Sequence, residues 1–366
     1  MEQIMKNKIH FSKEQRDKIY TFGLVIGLYV LVEILQRTGS LSNLMRGQLV
    51  PICAYIVMAL SLNLTVGILG ELSLGHAGFV SVGAFTGITA ATILRNYIHQ
   101  DWITFTISLL AGGIAAGIIG FLIGIPVLRL RGDYLAIVTL AFGEIVKSLI
   151  NNFYLGFDGT GLHFSFLSDK LKLAEDGKRI LSGPMGATNV PKISTFLAGV
   201  LLILFCLYFL YRLLGSKMGR AILAMRDNSI AAESVGIHIT RYKLTAFVMS
   251  AFMAGMGGVL FGMNYASIGA SKFNVDLSIL LLVFVVFGGL GNLRGSMIAA
   301  GLLTILPELL RSLRDYRMLA YSVILIFIML ITNNQIIMQF LNQLKSNIRK
   351  VFSKIIPSGN KGGERK

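Results

Sequence analysis

Ten apolar stretches of this 366-residue chain are candidates for crossing a hydrocarbon layer, and that constrains the fold more than any motif does. A spanning helix needs about 20 apolar residues. In lipid, every backbone N–H and C=O must be bonded internally, which leaves helices as the answer for runs of this length. The stretches fall near 20–36, 48–68, 76–94, 103–128, 134–151, 194–214, 244–265, 277–290, 296–312 and 318–338. They predict an all-α polytopic membrane protein, a bundle of about ten transmembrane helices. The layout is a basic arm over 1–19, a transmembrane domain over 20–338 and a basic tail over 339–366. With 54% hydrophobic and 14% charged residues, the composition excludes a soluble globular domain. The run at 277–290, about 14 residues, is short for a crossing, so a broken or re-entrant helix is expected there, or a count off by one.

Charge then sets the orientation. The first run follows Lys6, Lys8, Lys13, Arg16 and Lys18 and lacks a small-residue cleavage site, so it reads as a retained helix with a cytoplasmic N-terminus. Counting alternately places Arg129 and Arg131, the 215–243 loop, Arg294, and the tail with Lys345, Arg349, Lys350 and Lys354 on the cytoplasmic side, as the positive-inside rule requires. One loop disagrees: Arg311, Arg314 and Arg317 would face outward against the rule. The localisation expected is a bacterial plasma membrane, with both termini inside. A net charge of +16 spread over loops and flanks, without interleaved aromatics, argues against nucleic-acid binding. Cys53 and Cys206 both lie in apolar runs, which excludes a disulfide framework or a cysteine metal site.

Against this apolar background, GSKMGRAILAMRDNSIAAESVGIHITRYK (215–243) stands out as a long basic segment outside the bilayer. Asp227, Asn228 and Ser229 offer N-cap side chains, 230–235 make about two helical turns, and Gly236 sits where a left-handed residue would end them. Such a short cytoplasmic helix, flanked by Lys217, Arg220, Arg226, Arg241 and Lys243, is what an importer needs if a motor protein is to push on it. The other long polar segment, 152–193, is external and too short for a domain. Its two readings, a docking surface for an extracytoplasmic partner and a solvated connector, stand level.

Glycines four apart inside apolar runs, Gly83 and Gly87, Gly113 and Gly117, Gly120 and Gly124, Gly258 and Gly262, predict close helix packing. Gly67, Leu69 and Gly70 match Gly288, Leu290 and Gly291 in spacing, which suggests an internal repeat. Polar residues within the spans are few. Asn63, His76, Thr139 and Glu144 are the candidates for a translocation path, each weighed against a packing or capping role. Glu71 and Glu308 read as packing or capping residues in the same way. Leu140, Glu144, Lys147 and Asn151 share one helix face, where Glu144 and Lys147 can neutralise each other as a buried structural pair. His76 lacks the further ligands of a metal site. The one Gly-Lys pair, Gly177 and Lys178, is followed by Arg179, so no phosphate-binding P-loop is present. Uphill transport would then need a borrowed ATPase or an ion gradient, and the scarcity of membrane carboxylates disfavours the gradient.

Three stretches carry a family resemblance: LSLNLTVGILGELSLGHAGFVSVGAF (60–85), RLRGDYLAIVTLAFGEIVKSLINN (129–152) and GRAILAMRDNSIAAESVGIHITRYKLTAFVMSAFMAGMGGVLFG (219–262). FGGLGNLRGSMIAAG, near residue 290, adds a fourth. They resemble the membrane permeases of branched-chain amino acid ABC importers, in the family's order. The second includes Gly132, Tyr134, Ala136, Thr139, Phe142, Gly143 and Glu144. The third carries Ala231, Ala232, Glu233 and Gly236 at the family's AAE-x-x-G core. The resemblance implies a heteromeric importer built from this subunit, a second permease, two cytoplasmic ATP-binding subunits and an extracytoplasmic substrate-binding protein. ATP would be bound by the partner ATPases and no cofactor by this chain, which is not expected to be an enzyme. ATPase coupling would fall to Arg220, Asp227, Ala231, Ala232, Glu233 and Gly236. Branched-chain amino acids are the solutes implied. Relatives that carry urea or short amides share the motifs, and an ATP-independent secondary transporter is the alternative from another class.

Overall fold

The computed structural model describes residues 13–40, 42–130, 132–158, 161–166 and 177–310, together with Tyr316, Leu319, Ala320, Ser322, Val323 and Ile326, and the side chains from Lys18 onward. Two compact units are separated at Ile305, and the first, Met1–Ile305, holds nearly all the described elements. Helix α1 (Lys13–Arg37) is followed by α2 (Asn43–Asn63), which continues as a π-helical turn over Leu64–Ile68. Then come α3 (His76–Leu94), α4 (Asp101–Val127), α5 (Asp133–Asn151) and α6 (Phe196–Gly215). Two short helices, α7 (Lys217–Asp227) and α8 (Ser229–Ser234), precede α9 (Ile239–Gly262), α10 (Val275–Gly288) and α11 (Leu293–Leu309).

Seven helical stretches among the described residues are long and apolar enough to cross a membrane: Lys18–Arg37, Asn43–Ile68, His76–Leu94, Asp101–Val127, Phe196–Gly215, Ile239–Gly262 and Ala270–Gly288. The chain is therefore a multi-pass membrane protein. The expected 134–151 and 296–312 runs are helical as α5 and α11, but neither is among the seven. Most of the 318–338 run, the arm before residue 13, Arg131, Arg311, Arg314, Arg317 and the 339–366 tail lie outside the described residues. The doubtful 277–290 segment is longer than its apolar core suggested. A 3-10 turn over Ala270–Lys272 leads into α10, whose cap Asn274 accepts from Leu277 N at 3.2 Å, and the whole stretch of 19 residues reaches spanning length.

The core of the bundle forms around α9, which packs against α2, α3 and α4. Its small residues are what allow this. A Cβ placed on Gly255 would lie 2.5 Å from Ala116 Cβ on α4, and one on Gly258 2.1 Å from the carbonyl oxygen of Val80 on α3. The spaced glycines of α3 and α4 do the same from the other side: added Cβ atoms at Gly87 and Gly120 would meet Val259 and Ala251 at 2.5 and 2.6 Å. Helices approach here backbone to backbone, the packing that small residues permit where lipid offers no hydrophobic drive for association.

The expectation of an all-α chain fails in the polar loop over 152–193. Strands β1 (Phe153–Asp158), β2 (Gly161–Phe166) and β3 (Lys178–Ser182) form an antiparallel sheet in the order β2-β1-β3. Period-two alternation is the cause. Phe153, Leu155 and Phe157 stand opposite Phe166, Phe164 and Leu162, so six apolar side chains share one face of the sheet. On the other face Asp158 is buried and lies 3.0 Å from His163 Nε2. The loop is zipped to the turn after α9 by Ala187 and Ile268, which exchange backbone hydrogen bonds of 2.9 and 3.0 Å.

Candidate functional site

The chain leaves α6 through a sharp reversal. Ser216 Oγ donates to Leu213 O at 2.6 Å and accepts from Gly219 N at 3.2 Å, so one hydroxyl closes α6 and caps α7. Ile222 and Met225 are buried at a spacing of three, while Arg220 stays exposed and bonds back to Gly215 O at 3.2 Å. Asn228 then separates the two short helices. Its Oδ1 accepts from Ala231 N at 3.0 Å and starts α8. Gly236 ends it with φ +85°, bonding Glu233 O at 2.9 Å while Ile237 N reaches Ala232 O at 3.1 Å. Of the coupling candidates, Ala232 is buried, whereas Arg220, Asp227, Ala231, Glu233 and Gly236 are exposed. Ile230 on α8 and Val235 at its C-cap are 81% and 76% exposed.

This helix pair is tied to the bundle directly at one point, and α9, which follows it, makes a second contact with the same turn. Arg226, at the end of α7, donates through Nη1 to Gly67 O at 3.1 Å and pairs with Asp227 at 3.2 Å. Lys243, on α9, forms an ion pair with Glu71, both side chains being mostly buried at 16% and 13% exposure. Both contacts end on the turn between α2 and α3. That turn in turn meets the one between α10 and α11: Asn63 Oδ1 accepts from Gly291 N at 2.9 Å, and Asn63 Nδ2 donates to Ser296 Oγ at 3.0 Å. The two glycine-rich turns matched in spacing therefore touch. Gly70 and Gly291 have φ of +80° and +79°. A Cβ on Gly67 would lie 2.2 Å from Gly291 N, and one on Gly288 2.2 Å from Ser296 N, so each turn uses its first glycine for close approach and its last for a left-handed bend.

The four path candidates are differently placed. Asn63 is fully buried, with both ends of its amide engaged as above. His76, at the start of α3, is 1% exposed, with Nε2 2.7 Å from Ser61 Oγ. Ser61 is bound in turn by Ser250 of α9, whose hydroxyl donates to Ser61 O at 2.6 Å. Thr139 Oγ1 donates to Ala136 O at 2.9 Å and accepts from Leu74 N at 3.1 Å. The turn sits tightly on α5 there: a Cβ on Gly75 would lie 1.8 Å from Thr139 O. Glu144 differs from these. It holds Lys147 Nζ at 2.9 Å, but the two side chains are 40% and 26% exposed, so the pair is not buried as expected and lies along an open flank of α5 beside Ile145 and Leu149.

Sequence reasoning named Arg226, Lys243 and Glu71 without pairing them, because the partners stand 159 and 172 residues apart. Ser61, Ser250, Ser278 and Ser296 were missed. They are buried among apolar neighbours, and a hydroxyl inside a helix carries no periodic signal.

Seven apolar helices of spanning length, with two glycine-rich turns in contact and a short helix joined to one of them through Arg226, define a polytopic membrane protein. The chain belongs to the family described as branched-chain amino acid transport system / permease component, whose model matches residues 45–332. It is 38% identical over 291 residues to the high-affinity branched-chain amino acid transport system permease protein LivM of Salmonella typhimurium, and equally to LivM of Escherichia coli. Each match covers 75% of this chain and 66% of the relative. The LivH permease protein of Salmonella typhimurium is 23% identical over 282 residues, which is 76% of this chain and 89% of LivH. No solved structure matches the chain.

Proposed function

We propose that the chain is the membrane permease subunit of an ATP-driven importer of leucine, isoleucine and valine. The observation that carries this reading is the match of the permease family over 45–332, which takes in every helix from α2 to α11. The importer would comprise this subunit, a second, LivH-like permease, two cytoplasmic ATP-binding subunits and an extracytoplasmic binding protein. ATP is bound by the partners, and this chain does no covalent chemistry. Likeness to both LivM and LivH supports a pair of related permeases.

In this account α7 and α8 are cytoplasmic, as their arginines and lysines favour, and Ile230, Glu233 and Val235 form the surface that seats in the ATPase. Closure of the ATPases moves α8. Through Arg226 and Lys243 the movement reaches the α2–α3 turn, and through Asn63 it reaches the α10–α11 turn. The coupling helix therefore acts on two glycine turns at once as well as on α9. Alternating access follows when those turns shift the helices they join.

The β-sheet lies on the opposite side in this topology. Its exposed Leu162, Phe164 and Phe166 offer an apolar face to the binding protein. Of the four path candidates we assign a solute contact to Glu144 alone, which is 40% exposed beside Lys147, whereas Asn63, His76 and Thr139 are buried. Selection among solutes falls mainly to the binding protein. Deletion of this subunit from a leucine-requiring strain tests the reading: labelled leucine uptake at low external concentration should vanish and return with the intact chain. Uptake unchanged by the deletion, or restored when ATP is depleted, would refute it.

A further inference from the structure

Helix α5 has two unlike faces. Leu135, Ala136, Thr139, Gly143 and Val146 are buried, and this side meets α3, where a Cβ on Gly78 would lie 3.1 Å from Gly143 Cα. On the other side Tyr134, Ile137, Ile145 and Leu149 are 73%, 61%, 57% and 51% exposed. Their spacing of three, eight and four residues keeps them along one flank of the helix. Glu144 stands one turn from exposed Ala141 and one turn from exposed Ser148, and it holds Lys147 Nζ at 2.9 Å. The ion pair is therefore set into an open, largely apolar flank.

The depth of that flank limits what can cover it. Helix α3 is of spanning length, and the contact of Gly78 with Gly143 sets Glu144 beside the first turn of α3 and Lys147 one turn further along. Ionised side chains at this depth are costly against hydrocarbon, so they turn to a bundle interior or to water. Here the pair turns away from the subunit's own bundle. Water alone does not suit the flank either, because large apolar side chains stand on both sides of the pair. An apolar surface that carries a few hydrogen-bonded polar groups matches a subunit interface. We propose that the outward flank of α5 is the seam with the second, LivH-like permease, and that Glu144 and Lys147 lie on it. The proposal rests on the reading of this chain as one of a permease pair. A partner for this flank must itself reach membrane depth and offer polar groups to the pair, as a related polytopic permease does; LivH of Salmonella typhimurium is similar to this chain over 76% of its length. The seam puts the solute contact assigned to Glu144 between two subunits rather than inside one.

The test uses the complete importer in membranes, with this chain as Ile145→Cys, Leu149→Cys or Ile118→Cys, each coupled to benzophenone maleimide. Cys53 and Cys206 are buried, and the parent chain controls for them. Ile118, 55% exposed on α4, is the comparison position. Illumination should join positions 145 and 149 to the second permease, identified by mass spectrometry, and should not join position 118 to it. Products that link two copies of this chain would assign the flank to a homodimer and overturn the proposal. Products with lipid alone overturn it too, as does cross-linking to the second permease from 118 as readily as from 145 and 149. Ala141→Trp tests the seam without a probe: it should lower the amount of second permease that co-purifies about fivefold while the purified subunit melts like the parent chain, and Ile118→Trp should co-purify normally. Unchanged co-purification with Ala141→Trp overturns the proposal. Leucine uptake by the parent chain reads the function separately, so an α5 flank free of the second permease removes the seam and leaves the importer reading standing.

Discussion

Arg226 Nη1 lies 3.1 Å from the carbonyl oxygen of Gly67, a residue 159 positions earlier in the chain. A side chain on the short extramembrane helix α7 thus grips the backbone where α2 ends in a π-helical turn. Such turns concentrate at functional positions because the extra residue leaves the helix locally adaptable. Gly67 permits the grip: it is packed between Asn63 and Gly291, with no room for a side chain.

Removing the arginine should separate coupling from folding. A charged hydrogen bond to a carbonyl, half exposed as this one is, is worth about 1 kcal/mol, so Arg226→Ala should insert and assemble normally. Uptake should fall about fivefold while basal ATP hydrolysis by the assembled complex persists. Parallel assays of leucine uptake and ATP turnover on one preparation check this, and equal loss of both would mean that Arg226 serves assembly alone.

The Glu71 and Lys243 pair can be tested by exchange. Breaking a mostly buried pair strands a charge at a cost of about 2 kcal/mol or more, so Glu71→Lys and Lys243→Glu should each lower the melting temperature and the uptake rate. Combining them restores opposite charges across the same gap and should recover most of both. A double variant no better than the worse single one would show that the contact matters through something other than charge.

Stability should depend on the glycine crossings unevenly. Gly258→Ala drives a methyl toward Val80 O, 2.1 Å from the ideal Cβ position, where the obstacle is backbone. Overpacking of this kind costs about 1 to 3 kcal/mol, so the melting temperature of the purified chain should fall by several degrees. Gly117→Ala is the control, since its nearest contact is Phe252 Cβ at an ordinary 3.7 Å, and it should melt like the parent chain. Equal effects at both positions would remove the α3–α9 crossing as the critical contact.

Orientation gives a further check. A cysteine at Ser216 should react with an impermeant maleimide only from the cytoplasmic side, and one at Phe164 only from outside, as the distribution of basic residues requires. Labelling of position 216 in intact cells would invert the topology and with it the assignment of α8.

The spans were legible because twenty apolar residues in lipid have few conformations open to them. The run read at 76–94 coincides with α3, His76–Leu94, and the 194–214 run differs from α6, Phe196–Gly215, by two residues at most. Local chemistry also served α8, where the Asn228 side chain caps the start and Gly236, lacking a Cβ, turns left-handed at the end. Helix α7 was read only as a basic stretch, although Ile222 and Met225, three apart, mark its buried face. The sheet was not legible as such because the alternation of Leu162, Phe164 and Phe166 covers one six-residue strand inside a long polar segment. Least legible were the contacts that hold the site together. Nothing near Arg226 in sequence points to Gly67, nor anything near Asn63 to Gly291; those pairings exist only once the helices are packed.

The central claim is that α8 conveys ATPase movement to the membrane helices. Its most direct test is ATP-dependent leucine uptake and ATP hydrolysis, measured together in proteoliposomes holding the complete importer with this subunit either intact, as Gly236→Val, or as Ile230→Asp. A β-branched residue at φ +85° is disfavoured by about 1 to 2 kcal/mol, which distorts the end of α8 without touching a membrane contact. Aspartate at position 230 puts a charge on its most exposed aliphatic position. The account predicts that both variants keep the folded subunit in the membrane, while leucine uptake and substrate-stimulated ATP hydrolysis fall together about tenfold. Normal uptake with normal stimulation in both variants would contradict it and leave α8 without a coupling role.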